Sequence, residues 1–127
     1  MIRIFKIKGF MRFQRKEGIA DAALIEAIRL AESGLVDADL GGGLIKQRIA
    51  RLGQGKRGGY RTLIAFRQKD RAFFVFGFAK NQRSNIGTEE LEELKTLAAI
   101  YFSLSENQIA ELIETDEVVE LSCAPNE

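Results

Sequence analysis

Apolar and polar positions alternate or recur along this chain with periods that divide it into short strands and helices. Residues 2–8 alternate Ile2 and Ile4 against Arg3, Phe5 and Ile7, the two-residue period of a strand. Residues 10–16 place Phe10 and Phe13 three apart and predict a short helix. Residues 21–33 predict a longer helix with Ala23, Leu24, Ala27, Ile28 and Ala31 on one stripe, Asp21 as its cap and Gly34 at its end. Gly41-Gly42-Gly43 breaks the chain. Residues 44–52 then alternate, with Ile45, Gln47 and Ile49 opposite Leu44, Lys46 and Arg48, so Lys46 and Arg48 share a strand face.

After a glycine-basic loop over residues 53–59, residues 60–67 and 71–80 predict two strands joined by the polar turn Gln68-Lys69-Asp70, hence a hairpin. The second strand, through Phe73-Phe74-Val75-Phe76-Gly77-Phe78, is apolar on both faces and belongs in the middle of a sheet. Residues 88–104 give the clearest helix, with Thr88 as cap, Glu89, Glu90, Glu92 and Glu93 opposing the N-terminal dipole, and Leu91, Leu94, Leu97, Ala98 and Tyr101 as the inward stripe. Residues 105–114 predict a further helix and 117–121 a short edge strand. The expected architecture is α+β: a small antiparallel sheet, mixed at its edge, with N-terminal and C-terminal helices packed on it. At 127 residues the chain is expected to form a single domain, with residues 105–127 as an acidic C-terminal extension.

Charge sharpens this picture. The overall formal charge is only +1, but residues 44–83 hold eleven bases against the single acid Asp70, and residues 84–127 hold eleven acids against the single base Lys95. A dense positive middle segment is the electrostatic footprint of a polyanion ligand, most often nucleic acid. The acidic C-terminal segment is expected to extend the fold or to shield the basic site. There is no histidine, which removes His-based triads and His metal sites, and with one cysteine a structural zinc site is not expected. The lone Cys123 fits a reducing compartment, and charges at Arg3 and Lys6 interrupt any signal-peptide core, so a cytoplasmic location is expected and no membrane association.

Gly53-Gln54-Gly55-Lys56-Arg57-Gly58 has the form G-x-G-x-x-G, but a strand follows it where a dinucleotide fingerprint needs a helix N-terminus. The segment reads equally as a phosphate-approaching loop with Lys56, Arg57 and Arg61 as donors or as a flexible hairpin loop with solvated bases. Lys80, followed by Asn81, Gln82 and Arg83, ends the apolar strand where a charge reaches over the sheet's end. The phenylalanines of that strand read as core packing rather than as a stacking surface, which leaves Tyr60 and Tyr101 as aromatic candidates to touch a base.

The stretch Gly55-Lys56-Arg57-Gly58-Gly59-Tyr60-Arg61-Thr62-Leu63-Ile64-Ala65-Phe66, the strand Phe73-Phe74-Val75-Phe76-Gly77-Phe78-Ala79-Lys80-Asn81, and the later Asn85-Ile86 and Leu91-Glu92-Glu93-Leu94-Lys95 resemble the RelE/HigB toxins of bacterial type II toxin–antitoxin systems, in particular the HigB-like branch of the RelE/ParE superfamily. The resemblance spans roughly residues 44–102. It implies a RelE/ParE-like fold and a metal-independent endoribonuclease (an mRNA interferase) that cleaves messenger RNA on the ribosome and inhibits translation. It implies no cofactor, and a cognate antitoxin, often a helix-turn-helix protein like HigA, through which the complex meets operator DNA.

By the same resemblance Lys56, Arg61 and Lys80 form the catalytic set. Lys56 is the leading general base, Arg61 stabilises the transition state, and Lys80 is phosphate clamp or general acid. Arg57 holds the RNA backbone, and Lys46, Arg48, Tyr60 and Arg83 complete the RNA-binding set. Members of the family often carry a late Tyr or His, whereas here Tyr101 lies within the apolar stripe of its helix. Two rival readings remain: a ParE-like toxin that binds DNA gyrase without cutting, and a plain nucleic-acid-binding module.

Overall fold

The computed structural model describes residues 2–50, 59–80 and 85–121. In chain order the elements are β1 (Arg3–Ile7), α1 (Lys8–Glu17), α2 (Asp21–Glu32), β2 (Ala38–Gly41), β3 (Leu44–Ile49), β4 (Tyr60–Arg67), β5 (Arg71–Ala79), α3 (Thr88–Ser103), α4 (Glu106–Glu114) and β6 (Val118–Leu121). The six strands form one sheet in the order β2-β3-β4-β5-β1-β6. β1 runs parallel to β5, and every other neighbouring pair is antiparallel. The expected α+β architecture is therefore present. Among the described residues no helix is long and apolar enough to cross a membrane.

Helices cover both faces of the sheet. On one face α1 and α2 lay Phe10, Leu24, Ala27, Ile28 and Ala31 onto Ile4, Ile45, Ile49, Tyr60, Ile64 and Phe74. On the other, α3 and α4 lay Leu91, Leu94, Leu97, Ala98 and Ile109 onto Phe5, Leu44, Leu63, Ala65 and Phe73. The alternation expected for β3 holds: Ile45 and Ile49 enter the first core and Leu44 the second. Gln47, on the α2 side, is 3% exposed and fully engaged. Its amide donates to the carbonyls of Ala27 (2.9 Å) and Leu35 (3.1 Å) and accepts from the Asp37 N–H (2.9 Å), which ties β3 to the end of α2.

Several local expectations are corrected. Asp21 does not cap α2: Ala20 is the N-cap residue, without a side-chain bond. The Asp21 carboxylate instead accepts from Lys6 Nζ (2.9 Å) and Gln14 Nε2 (2.7 Å), locking the α1–α2 turn onto β1. Burial pushes its pKa up, but the bonds from Lys6 and Gln14 and the Lys6 charge outweigh this and hold it below the usual value. Thr88 is likewise already helical. Gly87 precedes α3, and the Glu90 carboxylate accepts from the Gly87 N–H (3.3 Å). The inward stripe of α3 is only half-buried except at Ala98.

Strand β2 was not expected. Residues 41–43, all at positive φ, form the turn that pairs β2 with β3. Glycine is required at Gly43, because a Cβ there would lie 2.4 Å from the Phe102 ring of α3.

The acidic C-terminal segment is built into the fold as far as Leu121. α4 packs in the second core, and β6 extends the sheet beyond β1.

Candidate nucleic-acid interface

Three strands end together at one end of the sheet. Ile49, Tyr60 and Ala79 are in register across β3, β4 and β5. The chain leaves the described residues next to this rung, at Ala50 and Lys80, and re-enters beside it at Gly59. The Lys80 N–H donates to the Gly59 carbonyl (3.1 Å), so the base of the glycine-basic loop and the end of β5 are hydrogen-bonded neighbours.

Register then decides which side chains share a face. Arg48 pairs with Arg61 and Arg61 with Phe78, forming one rung, and Lys46–Leu63–Phe76 forms the next. Leu63 belongs to the core under α3 and α4, so Lys46, Arg48 and Arg61, at the same strand parity, lie on that face. α3 covers the far half of the face, where Leu44, Ala65 and Phe73 sit.

β5 reaches this arrangement through a β-bulge. Leu63 pairs with Phe76 but Ile64 pairs with Phe74, so Val75 is an extra residue. Ahead of the bulge the even-numbered residues Ala72 and Phe74 face α1 and α2. Beyond it the parity inverts. Phe76 packs on the α3 side, whereas Gly77 abuts Phe13 and Phe10 of α1, and Ala79 joins the first core. Alternation carried one step past Ala79 returns Lys80 to the face of Arg48 and Arg61. Without the extra residue, the same alternation would send Lys80 to the opposite side.

Lys46 and Arg61 are half-buried, and Arg48 and Lys80 are exposed. Among the described residues none of these four side chains makes an ion pair. The only bond of the Arg61 guanidinium among those residues is a long one, 3.5 Å, from Nη1 to the Tyr60 carbonyl. The opposite end of the sheet contrasts with this. There the rung Arg67–Arg71–Arg3 is neutralised: Arg3 meets Glu106 and Glu120 (2.9 Å), Arg67 meets Asp70 (3.2 Å), and Arg71 meets Asp70 (3.3 Å). Arg71 also donates to the carbonyls of Tyr101 (3.1 Å) and Leu104 (2.8 Å), fastening the C-terminal end of α3.

The eight residues of β4 separate the two ends by about 23 Å at 3.3 Å per residue. Two C-terminal acids, Glu106 and Glu120, thus neutralise the end away from the basic loop. The expectation that the C-terminal segment shields the basic site has no counterpart in these contacts.

Lys56, Arg57 and Arg83 lie outside the described residues. Tyr60 takes a different place from the one expected. Its parity is opposite to Arg61, its ring is 4% exposed and edge-on to Phe13 (5.8 Å), and its hydroxyl donates to the Glu17 carbonyl (3.3 Å). This burial takes the ring away from any base on the Arg61 face. Tyr101 is stacked on Phe73 at 4.4 Å. Its phenol pKa is raised, first by burial and then by the nearby Glu117 charge. Sequence reading missed the bulge, since a run apolar on both faces carries no parity signal.

Residues 2–121 match the family of the RelE toxin of the RelE/RelB toxin–antitoxin system. The chain belongs to the RelE toxin family. No curated protein matches it significantly. As a RelE-family toxin it is one half of a toxin–antitoxin pair, with a cognate antitoxin as its partner. Its fold places Lys46, Arg48 and Arg61, which make no side-chain ion pair among the described residues, at the sheet end next to Ala50 and Gly59.

Proposed function

We propose that this RelE-family toxin is a metal-independent endoribonuclease of the HigB-like branch that cleaves messenger RNA on the ribosome and so stops translation. The observation that carries the reading is the segregation of charge. Arg61, Arg48, Lys46 and Lys80 lie at one end of the sheet with no side-chain ion pair among the described residues, although the Asp37 carboxylate accepts from the Arg48 backbone N–H, while the arginines of the other end are paired. A cluster of that kind suits an anionic phosphodiester and its more anionic transition state.

RNA supplies its own nucleophile. The 2′-hydroxyl attacks the adjacent phosphorus, its proton passes to a base, and the 5′-oxygen leaves with a proton from an acid. The products are a 2′,3′-cyclic phosphate and a 5′-hydroxyl. Lys56 is proposed as the base that takes the 2′-hydroxyl proton. Arg61 stabilises the phosphorane oxygens, Lys80 clamps the phosphate or protonates the leaving oxygen, and Arg57 and Arg83 hold the backbone with Lys46 and Arg48. The antitoxin is proposed to be a helix-turn-helix protein that carries the complex to its operator DNA.

The test is induced expression of the wild type and of the Lys56→Ala/Arg61→Ala/Lys80→Ala variant. Growth arrest with new transcript ends from the wild type alone is expected. Arrest by both proteins without cleavage would move the function to a binding toxin.

A further inference from the structure

We propose that the outward face of α1 is a second RNA-binding surface, which grips the phosphate backbone of double-stranded RNA. The choice of RNA as the polyanion rests on the ribonuclease reading above. Charge divides α1 cleanly. At about 100° per residue, Lys8, Arg12, Arg15 and Lys16 fall within an arc of about 100°, and Phe10, Phe13, Gln14 and Glu17 fill the opposite side. The four bases are exposed, and among the described residues none of them makes a side-chain hydrogen bond or an ion pair. Glu17, the one acid of the helix, is half-buried on the other side, and the next acid along the chain, Asp21, is held by Lys6 and Gln14. Residues 1–43 hold seven bases against six acids, so a sum over the segment hides the stripe.

These charges are placed against the stability of the helix itself. Lys8 stands in the first turn, at the positive end of the dipole, with no acid in that turn and no side-chain cap at Ile7. Lys8 and Arg12, and Arg12 and Lys16, are like-charged pairs four residues apart. A polyanion laid along the stripe removes both penalties. Lys8, Arg12 and Lys16 step along the axis by about 6 Å at a rise of about 1.5 Å per residue. No aromatic ring belongs to the stripe, since Phe10 and Phe13 pack toward the sheet. Contact with phosphates without base stacking is how proteins hold duplex RNA rather than single strands. α1 lies on the sheet face opposite Arg61, yet its C-terminal end reaches the same end of the sheet, where the Glu17 carbonyl accepts from the Tyr60 hydroxyl (3.3 Å). A duplex on α1 and a single strand on the Arg61 face can therefore be held at once, back to back.

The experiment measures binding of the full chain to two fluorescein-labelled RNAs, a blunt-ended duplex and a single strand of the same length, both with 2′-O-methyl riboses that prevent cleavage. Arg12→Gln/Lys16→Gln is compared with Arg29→Gln/Lys69→Gln, which removes the same formal charge from exposed positions elsewhere. The α1 variant is expected to bind the duplex about tenfold or more weakly than wild type, with the slope of log affinity against log salt reduced by about 1.8, the value of two duplex phosphates. The Arg29/Lys69 variant is expected to stay within about twofold of wild type. The loss in the α1 variant should be larger on the duplex than on the single strand, a ratio that partial unfolding would not change. Equal losses on the two RNAs, equal losses in the two variants, or an α1 variant that binds the duplex like wild type would overturn the duplex surface. Wild type that binds the single strand but not the duplex would overturn it too, leaving the ribonuclease reading intact and the stripe to an acidic protein partner. Wild type that binds the duplex but not the single strand would overturn the ribonuclease reading and leave the α1 surface standing.

Discussion

Gly77→Ala tests the register of β5, on which the composition of the basic face depends. The extra residue Val75 turns Gly77 toward α1, where a Cβ would lie 2.5 and 2.6 Å from the Phe13 ring and 3.2 Å from Phe10. Phe10 is 1% exposed and has no room to retreat. Phe13 is half-buried and can swing outward only by giving up its edge contact with Tyr60. Overpacking of this kind costs about 1–3 kcal/mol. Replacing a strand glycine returns about 0.5–1 kcal/mol of backbone entropy. The net expectation is a loss of about 1–2 kcal/mol, a fall in thermal midpoint of about 3–10 °C for a chain of this size.

Thermal denaturation followed by circular dichroism measures the shift. Two companions calibrate it. Gly9→Ala, in α1 with nothing within 4 Å of its Cβ position, should leave the midpoint unchanged or raise it. Phe13→Leu combined with Gly77→Ala should cost less than the sum of the two single changes, since the leucine lacks the ring edge that the new methyl meets. Without a bulge Gly77 would face α3, and the methyl would not meet Phe13. A Gly77→Ala variant as stable as wild type would therefore refute the register, and with it the placement of Phe76 and Lys80 on the face of Arg61.

Other consequences follow from the same contacts. Arg71→Met should cost about 2–3 kcal/mol in urea unfolding, because the guanidinium, 11% exposed, holds the last carbonyls of α3. Gln47→Leu should cost about 3 kcal/mol by stranding the Leu35 carbonyl and the Asp37 N–H and by removing a second bond from the helical Ala27 carbonyl. Asp21→Asn should flatten the acid limb of the stability curve. The folded carboxyl titrates below its ordinary value of 3.8, so its contribution is complete above that pH and disappears as pH falls through the lower folded value, a component the asparagine lacks. In RNA binding, Arg48→Ala should reduce the slope of log affinity against log salt by about 0.7, the value of one phosphate contact on a single strand.

The sequence carries most of the elements because their periods are clean. The stripe of α2 and the alternation of β3 are legible in Leu24, Ala27, Ile28 and in Ile45, Gln47, Ile49. Lys46 and Arg48 fall on one face as their spacing requires. What fails is what depends on distant partners. The parallel pairing of β1 with β5 has no local signature, and β2 hides behind three glycines that read simply as a break. Asp21 looks like a cap by residue type, but the ammonium of Lys6, fifteen residues earlier, captures it. Tyr60 looks like a base-stacking ring by composition, and parity buries it because Arg61 faces the other way. The bulge is silent in the run from Phe73 to Phe78, where either register buries apolar side chains.

The most direct measurement of the central claim is transcript-wide mapping of 5′-hydroxyl ends after brief induction of the wild type and of Arg61→Ala. The account predicts new 5′-hydroxyl ends within coding sequences from the wild type, matched by 2′,3′-cyclic phosphates on the upstream fragments and lost in the variant. Growth arrest with transcripts intact, or cleavage that persists undiminished in Arg61→Ala, would contradict it.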